Sequence, residues 1–211
     1  EKTKMIAFTH ISNVTGTVMP VKKIIDLAKS KNIPVLIDGT QGAPHSSLDI
    51  QDLDCDFYAI SCHKMYGPTG LGILYAKKKW LDDLPPYQGG GGMIEEVKKN
   101  DLTYGNLPNK YEAGTMATAQ VVAFDESIKF LNKVGTNNIV DHEKELIEYG
   151  QEILKRNNSV TLIGSPKKEV LFYHLQLKEY ILMILLQFWM MTVLRLEPVI
   201  IVVKFFTRKL E

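Results

Sequence analysis

Two short apolar runs, each ending in residues that carry chemistry, constrain this chain more than any other feature. Ile33-Pro34-Val35-Leu36-Ile37 leads into Asp38-Gly39-Thr40-Gln41, and Phe57-Tyr58-Ala59-Ile60 leads into Ser61-Cys62-His63-Lys64. Short apolar runs bounded by turn residues read as buried parallel strands. Ligands of open α/β sheets bind at the carboxyl ends of such strands. The two runs therefore set an acid at one strand end and a lysine just past the next. Pyridoxal phosphate chemistry needs that combination: the lysine carries the cofactor as a Schiff base, and the carboxylate keeps the ring nitrogen protonated so that the ring accepts electrons. Ser61 and His63 flank the lysine with donors for a phosphate or a ring oxygen. The rival reading makes Lys64 an exposed loop lysine and Asp38 a helix N-cap. Either residue alone fits that rival; the pair at neighbouring strand ends favours the cofactor.

The rest of the chain supports an α/β reading. Residues 5–10 predict a strand, and Pro20 opens a helix in which Val21, Ile24, Ile25 and Ala28 recur at helical spacing as far as Lys31. A strand over 33–38 completes a β-α-β unit, and strands over 56–61 and 71–76 are separated by the turn Gly67-Pro68-Thr69-Gly70. Residues 84–115, rich in Gly, Pro and Asn, read as one long functional loop. Helices are expected over 117–134 and 137–156, then a strand over 159–163 that opens a small C-terminal domain.

Composition closes off several classes. The 211 residues hold 25 basic and 24 acidic side chains, net +1, with no polybasic run, so no footprint for nucleic acid exists. Cys55 and Cys62 are the two cysteines and have neither metal nor redox spacing, which fits a reducing, cytoplasmic compartment. No cationic and apolar leader follows Glu1, and the chain opens almost directly on a strand, an expectation of a missing N-terminal portion.

Several motifs, in order, carry a family resemblance. Thr9-His10-Ile11-Ser12-Asn13-Val14-Thr15-Gly16-Thr17, Ile37-Asp38-Gly39-Thr40-Gln41-Gly42-Ala43, and Ser61-Cys62-His63-Lys64-Met65-Tyr66-Gly67-Pro68-Thr69-Gly70 resemble the class V aminotransferases. Within that family they are most similar to the cysteine desulfurase / selenocysteine lyase branch of the SUF type. Leu53-Asp54-Cys55-Asp56-Phe57-Tyr58, Gly89-Gly90-Gly91-Gly92-Met93-Ile94 and Tyr111-Glu112-Ala113-Gly114-Thr115 fit the same branch, and the likeness runs from about residue 5 to about 168. It implies the large domain of a fold-type I pyridoxal phosphate enzyme over 1–157 and the start of a small domain over 158–168.

The resemblance also implies roles. Lys64 is the cofactor lysine and the acid/base for the α-proton, Asp38 pairs with the pyridine nitrogen, and Gln41 bonds the phenolic oxygen of the ring. Ser61 and His63 donate to the phosphate. Asn13 contacts the cofactor or the substrate carboxylate, and Thr115 reaches the phosphate in the partner subunit of a homodimer. The family continues that last motif with Pro-Asn, whereas Met116-Ala117 follow here. The implied reaction turns L-cysteine, or L-selenocysteine in a lyase, into L-alanine and passes sulfur through a persulfide to an acceptor protein for iron–sulfur cluster assembly. Another class V enzyme, or a cofactor-free product associated with a membrane through its tail, are the alternatives. Cys62 beside His63 could be imagined as the thiolate, but strand alternation turns it away from its neighbours. His10, His45 and His142 read as packing, loop or surface residues.

From 169 to 211 the character changes. The segment has no Gly, Ala, Ser, Asn or Asp, although Gly alone averages roughly 7% of protein sequence. Residues 180–194 carry no charge, yet fall short of the about 18 apolar residues that a membrane helix needs. A shifted reading frame accounts for the oddity. Trp189 and both methionines after it have single codons, so taking the last base of each codon with the first two of the next forces Asp-Asp-Asp. The same frame permits Arg-Thr-Gly-His-His-Cys from residues 196–202, which resembles the family's substrate-arginine and catalytic-cysteine segment. The expectation is a non-native tail over 169–211 and a chain that lacks its nucleophile.

Overall fold

The structure, a computed structural model, describes residues 2–99, 101–158 and 160–162, together with the backbone of 175–177. The chain divides into two compact units, residues 1–10 with 20–135 and residues 11–19 with 136–211.

The first unit is built on a four-stranded sheet ordered β1-β2-β3-β4, with β1 at Ile6–Thr9, β2 at Val35–Asp38, β3 at Phe57–Ser61 and β4 at Gly72–Ala76. The first three strands run parallel and β4 returns antiparallel to β3. Helix α1, Val21–Lys29, starts after Pro20 and turns Val21, Ile25 and Ala28 inward, a stripe at i, i+4 and i+7. Those side chains belong to the same core as Val35, Ile37, Cys55, Phe57 and Tyr58. Burying one such aliphatic side chain is worth roughly 1.5–3 kcal/mol. Asn32 takes a left-handed conformation between α1 and β2, a geometry that Asn tolerates better than most residues. The short helix α2, Ile50–Leu53, is capped by Asp49, whose Oδ1 accepts from the amides of Gln51 and Asp52 at 2.8 and 3.0 Å.

The lower end of β3 is fixed by charge. Asp56 is buried, and its carboxylate accepts from the Val35 amide at 3.0 Å and from the Trp80 indole N–H at 2.8 Å. Lys77 and Lys79 approach at 3.9 and 3.5 Å. Burial works to raise this carboxyl, but the Trp80 and Val35 hydrogen bonds and the two lysines outweigh it and hold it below its ordinary value. Trp80 sits on α3, Lys78–Asp83, so this cluster ties β2, β3 and the segment after β4 together.

Residues 84–115 are not one loop. They contain a hairpin of β5, Ile94–Lys98, and β6, Asp101–Tyr104, which corrects the sequence expectation. Both strands are exposed along their whole length and a register shift interrupts the pairing, so no period-two burial pattern is written into the residues. Helix α4, Thr118–Val134, closes the unit and contacts the turn that follows β3.

In the second unit, α5 spans Thr136–Lys155 and packs against β7, Val160–Leu162, which pairs antiparallel with β8, Leu175–Leu177. Its other segment is a tight turn in which the Ser12 amide donates to the Thr17 carbonyl at 3.0 Å and Ile11 bridges Val18. Among the described residues no helix is long and apolar enough to cross a membrane. The apolar run 180–194, the expected catalytic-cysteine segment and nearly all of the expected non-native tail lie outside the described residues.

Candidate active site at the carboxyl ends of β2 and β3

Register brings the predicted residues to one edge of the sheet. Thr9 on β1, Asp38 on β2 and Ala59 on β3 stand opposite one another, and Ser61 ends β3 two positions later. The chain then makes a 3-10 turn, Cys62–Met65, that carries His63 and Lys64. The acid and the lysine therefore emerge from the carboxyl ends of adjacent parallel strands. Asp38 is exposed and is no helix N-cap; Lys64 is half-buried. Among the described residues no hydrogen bond or ion pair engages the Lys64 ammonium. His63 is exposed, and its Nδ1 lies 3.1 Å from the Ser61 hydroxyl, so the two expected phosphate donors are neighbours.

The turn that bears Lys64 is held from three directions. The Cys62 amide donates to the Leu71 carbonyl at 3.2 Å, and the Gly67 amide donates back to the Cys62 carbonyl at 3.0 Å. Tyr66 takes a left-handed conformation, and the Ser127 hydroxyl of α4 donates to its carbonyl at 3.0 Å. Phe124 fills the space beside Gly67, where a Cβ would lie 2.6 Å from its ring, and Phe130 meets the Tyr66 ring edge-on at 5.3 Å. A helix more than fifty residues downstream thus fixes the backbone next to the lysine.

The loop after Asp38 rests on a buried polar pair. His10 Nδ1 and the Tyr58 hydroxyl are 2.8 Å apart, and both side chains are buried. The His10 amide donates to the Asp38 carbonyl at 2.8 Å, and the Gly39 amide donates to Ala59 at 2.9 Å. At Gly39 a Cβ would fall 1.8 Å from Tyr58 Cε1, and at Gly42 it would fall 2.4 Å from His10 Nδ1. Only glycine lets the backbone approach this closely. Burial above all, with the charges of Cys55 and Asp38, pushes the Tyr58 phenol up, so it stays protonated under the loop. Gln41, also buried, lies on that loop.

Other predicted residues lie on other segments of the chain. Asn13 belongs to the second unit, in the Ser12–Thr17 turn region. Thr115 is exposed, next to Gly114, whose amide donates to the Gly91 carbonyl at 2.8 Å; Gly90 lies so close to Ala113 and Gly114 that a Cβ would meet their backbone at about 3 Å. The glycine-rich loop and the Thr115 motif are thus one knit structure. Both cysteines are free and fully buried, and burial pushes both thiols up. That is the opposite of what a nucleophilic thiol needs. His10 packs inside, and His142 is exposed on α5, as their sequence context suggests. Sequence reasoning passed over Thr40, Tyr58 and Ser127; of these only the Asp-x-Thr spacing, a turn-forming pattern, was open to discovery from sequence.

The residues suit a pyridine cofactor bearing a phosphate: an exposed carboxylate, an unengaged amine and a Ser–His donor pair share one sheet edge, above a glycine loop that admits close approach. This architecture is that of the fold-type I large domain, and the comparisons with known proteins agree. Residues 1–174 match the family model described as Aminotransferase class-V. The chain belongs to the class-V aminotransferase family. It is 44% identical over 168 residues to a probable cysteine desulfurase of Halalkalibacterium halodurans, covering 80% of this chain and 41% of that protein. It is 42% identical over 169 residues to a cysteine desulfurase of Escherichia coli (strain K12), covering 80% of this chain and 42% of that protein. The crystal structure of the Escherichia coli cysteine desulfurase CsdA superposes with a TM-score of 0.79 at 32% identity, over 84% of this chain and 44% of that one. The chain spans about two fifths of the length of the curated relatives it matches.

Proposed function

We propose that this chain is the cofactor-binding portion of a pyridoxal phosphate-dependent cysteine desulfurase, a homodimer that converts L-cysteine to L-alanine and hands sulfur to an acceptor protein for iron–sulfur cluster assembly in the cytoplasm. The observation that carries the reading is the register of β2 against β3, which sets Asp38 beside the strand that ends in Ser61 and leads into the turn bearing His63 and Lys64. The identity to proteins named cysteine desulfurase supports the substrate. When bound, the cofactor supplies an electron sink next to the substrate α-carbon. Lys64 then serves as attachment point and as the amine that moves the α-proton, Asp38 holds a proton at the ring nitrogen, Gln41 orients the ring oxygen, and Ser61 and His63 hold the phosphate. Asn13 and, across a dimer interface, Thr115 complete the site.

Turnover of cysteine needs a thiolate on a mobile segment, and neither buried thiol here can act as one. On this reading the chain as written lacks desulfurase activity. The proposed cause is a shifted reading frame beginning near residues 167–169; in support, the matches to the relatives extend over 168 and 169 residues, and the family match takes in only the first few residues beyond that point.

The test is reconstitution of this chain with pyridoxal phosphate, reduction with borohydride, and peptide mapping. A mass increment on the peptide containing Lys64, absent from Lys64→Ala, is expected. An increment on another lysine, or none, overturns the assignment. Addition of cysteine should release no alanine from the chain.

A further inference from the structure

Asp38 stands exposed at the end of β2, where an unrestrained carboxylate would turn among several rotamers. It is restrained by one residue. Its Oδ1 accepts from the Thr40 amide at 3.0 Å and from the Thr40 hydroxyl at 2.7 Å. Among the described residues its second oxygen, Oδ2, accepts nothing. The amide contact would exist for any residue at this position except proline; the hydroxyl contact is what threonine adds. The loop beneath is itself fixed, because the Gly39 amide bonds Ala59, the Ala43 amide bonds the Gly39 carbonyl at 2.8 Å, and Gly39 and Gly42 abut Tyr58 and His10. The hydroxyl is thus a donor on a rigid base, aimed at one oxygen of the carboxylate.

We propose that Thr40 is a positioning residue: its hydroxyl saturates Oδ1 of Asp38 and turns Oδ2 outward as the acceptor for the ring N–H of a pyridine ligand. This rests on the proposed function, in which Asp38 faces the ring nitrogen. Two substitutions separate shape from donor. Thr40→Val keeps the branched shape and removes the hydroxyl, and Thr40→Ser keeps the hydroxyl and removes the methyl.

The first readout uses the labelled full chain without cofactor. The Hα–Hβ couplings of Asp38 should report one dominant χ1 rotamer in the parent and in Thr40→Ser, and averaged couplings in Thr40→Val. The second compares binding of pyridoxal phosphate with binding of its carbocyclic analogue, in which CH replaces the ring nitrogen. The parent and Thr40→Ser should prefer the pyridine, and Thr40→Val should lower that preference by about 3- to 10-fold, the size of one hydrogen bond. The affinity for the carbocyclic analogue should stay the same throughout. Unchanged couplings and an unchanged preference in Thr40→Val overturn the proposal, as does a Thr40→Ser chain as impaired as Thr40→Val. A parent chain with no preference for the pyridine overturns the role of Asp38 toward the ring nitrogen instead, and the couplings then still decide whether Thr40 orients the carboxylate.

Discussion

Replacing Gly39 by alanine should destabilise the fold by an amount that its contact with Tyr58 sets. The new methyl would lie 1.8 Å from Cε1 and 2.1 Å from Cζ of Tyr58. Carbon atoms in good contact are about 3.5–4.0 Å apart, so ring and loop must separate by roughly 2 Å. The ring cannot swing into solvent, because Tyr58 is wholly buried. Overpacking of this kind costs about 1–3 kcal/mol. Displacing the ring also breaks the 2.8 Å bond to His10, which adds about 1 kcal/mol. The expected loss is thus about 2–4 kcal/mol in urea unfolding followed by circular dichroism, against about 0.5 kcal/mol or less for Gly91→Ala, where a methyl meets open space. A cycle with Tyr58→Ala checks the cause. If the clash is the mechanism, the double variant should be less destabilised than the sum of the singles by about 1–3 kcal/mol. A Gly39→Ala chain as stable as Gly91→Ala, or a strictly additive cycle, would refute the packing argument.

Three further outcomes are expected. Asp56 is held below its ordinary value in the fold, so its stabilising effect is complete above the unfolded carboxylate value of about 3.9 and is lost as the pH falls through the lower folded value. Asp56→Asn should remove that part of the acid limb and cost about 2 kcal/mol at neutral pH, since an amide N–H2 then faces one of two N–H donors; an acid limb identical to the parent's would exclude Asp56. In the intact enzyme, Asp38→Asn should leave cofactor bound and lower kcat by about 10- to 100-fold with little change in KM, as expected for an interaction that matters most in the transition state; unchanged turnover would remove the role. Resequencing the coding DNA across codons 160–211 should reveal a lost or gained base, and a clean frame in independent reads would make the tail genuine.

How much of this could be read from residues alone follows burial and separation. Strands β2 and β3 were legible because each is a short apolar run bounded by turn residues, with Val35, Ile37, Phe57 and Tyr58 buried in the core. Helices α4 and α5 were legible because their length sustains a period: the expected span 117–134 differs from Thr118–Val134 by one residue at its start alone, and 137–156 differs from Thr136–Lys155 by one residue at each end. The hairpin was not, because Ile94, Val97, Leu102 and Tyr104 stay exposed and nothing forces alternation on the residues between them. In the candidate site, Asp38 and Lys64 stood out by position at one strand end and just past the next, and the structure brings both to one edge of the sheet. Ser127 could not, since its hydroxyl meets the Tyr66 carbonyl across 61 positions of chain, and a lone serine on a helix has no sequence signal for such a contact.

The two ends of β3 divide structural and chemical work. Phe57 pairs with Ala76 at the lower end and Ser61 with Gly72 at the upper, so the turn that bears Lys64 is the closed connection of one antiparallel pair. A one-residue slip in such a pair sends every side chain to the opposite face. Slippage here would turn the buried Cys62 outward and change which residue begins the 3-10 turn. Asp56 opposes that slip, because its carboxylate binds Trp80 beyond the end of β4 and Val35 at the start of β2, while the Lys77 amide donates to its carbonyl at 3.0 Å. The register of the strand that presents Lys64 is therefore fixed by a charge at the other end of the sheet. A substitution at Asp56 should accordingly reach the lysine without touching it: loss of borohydride-trapped cofactor at Lys64 in an Asp56→Asn chain that remains folded would demonstrate the coupling, and full labelling would confine Asp56 to stability.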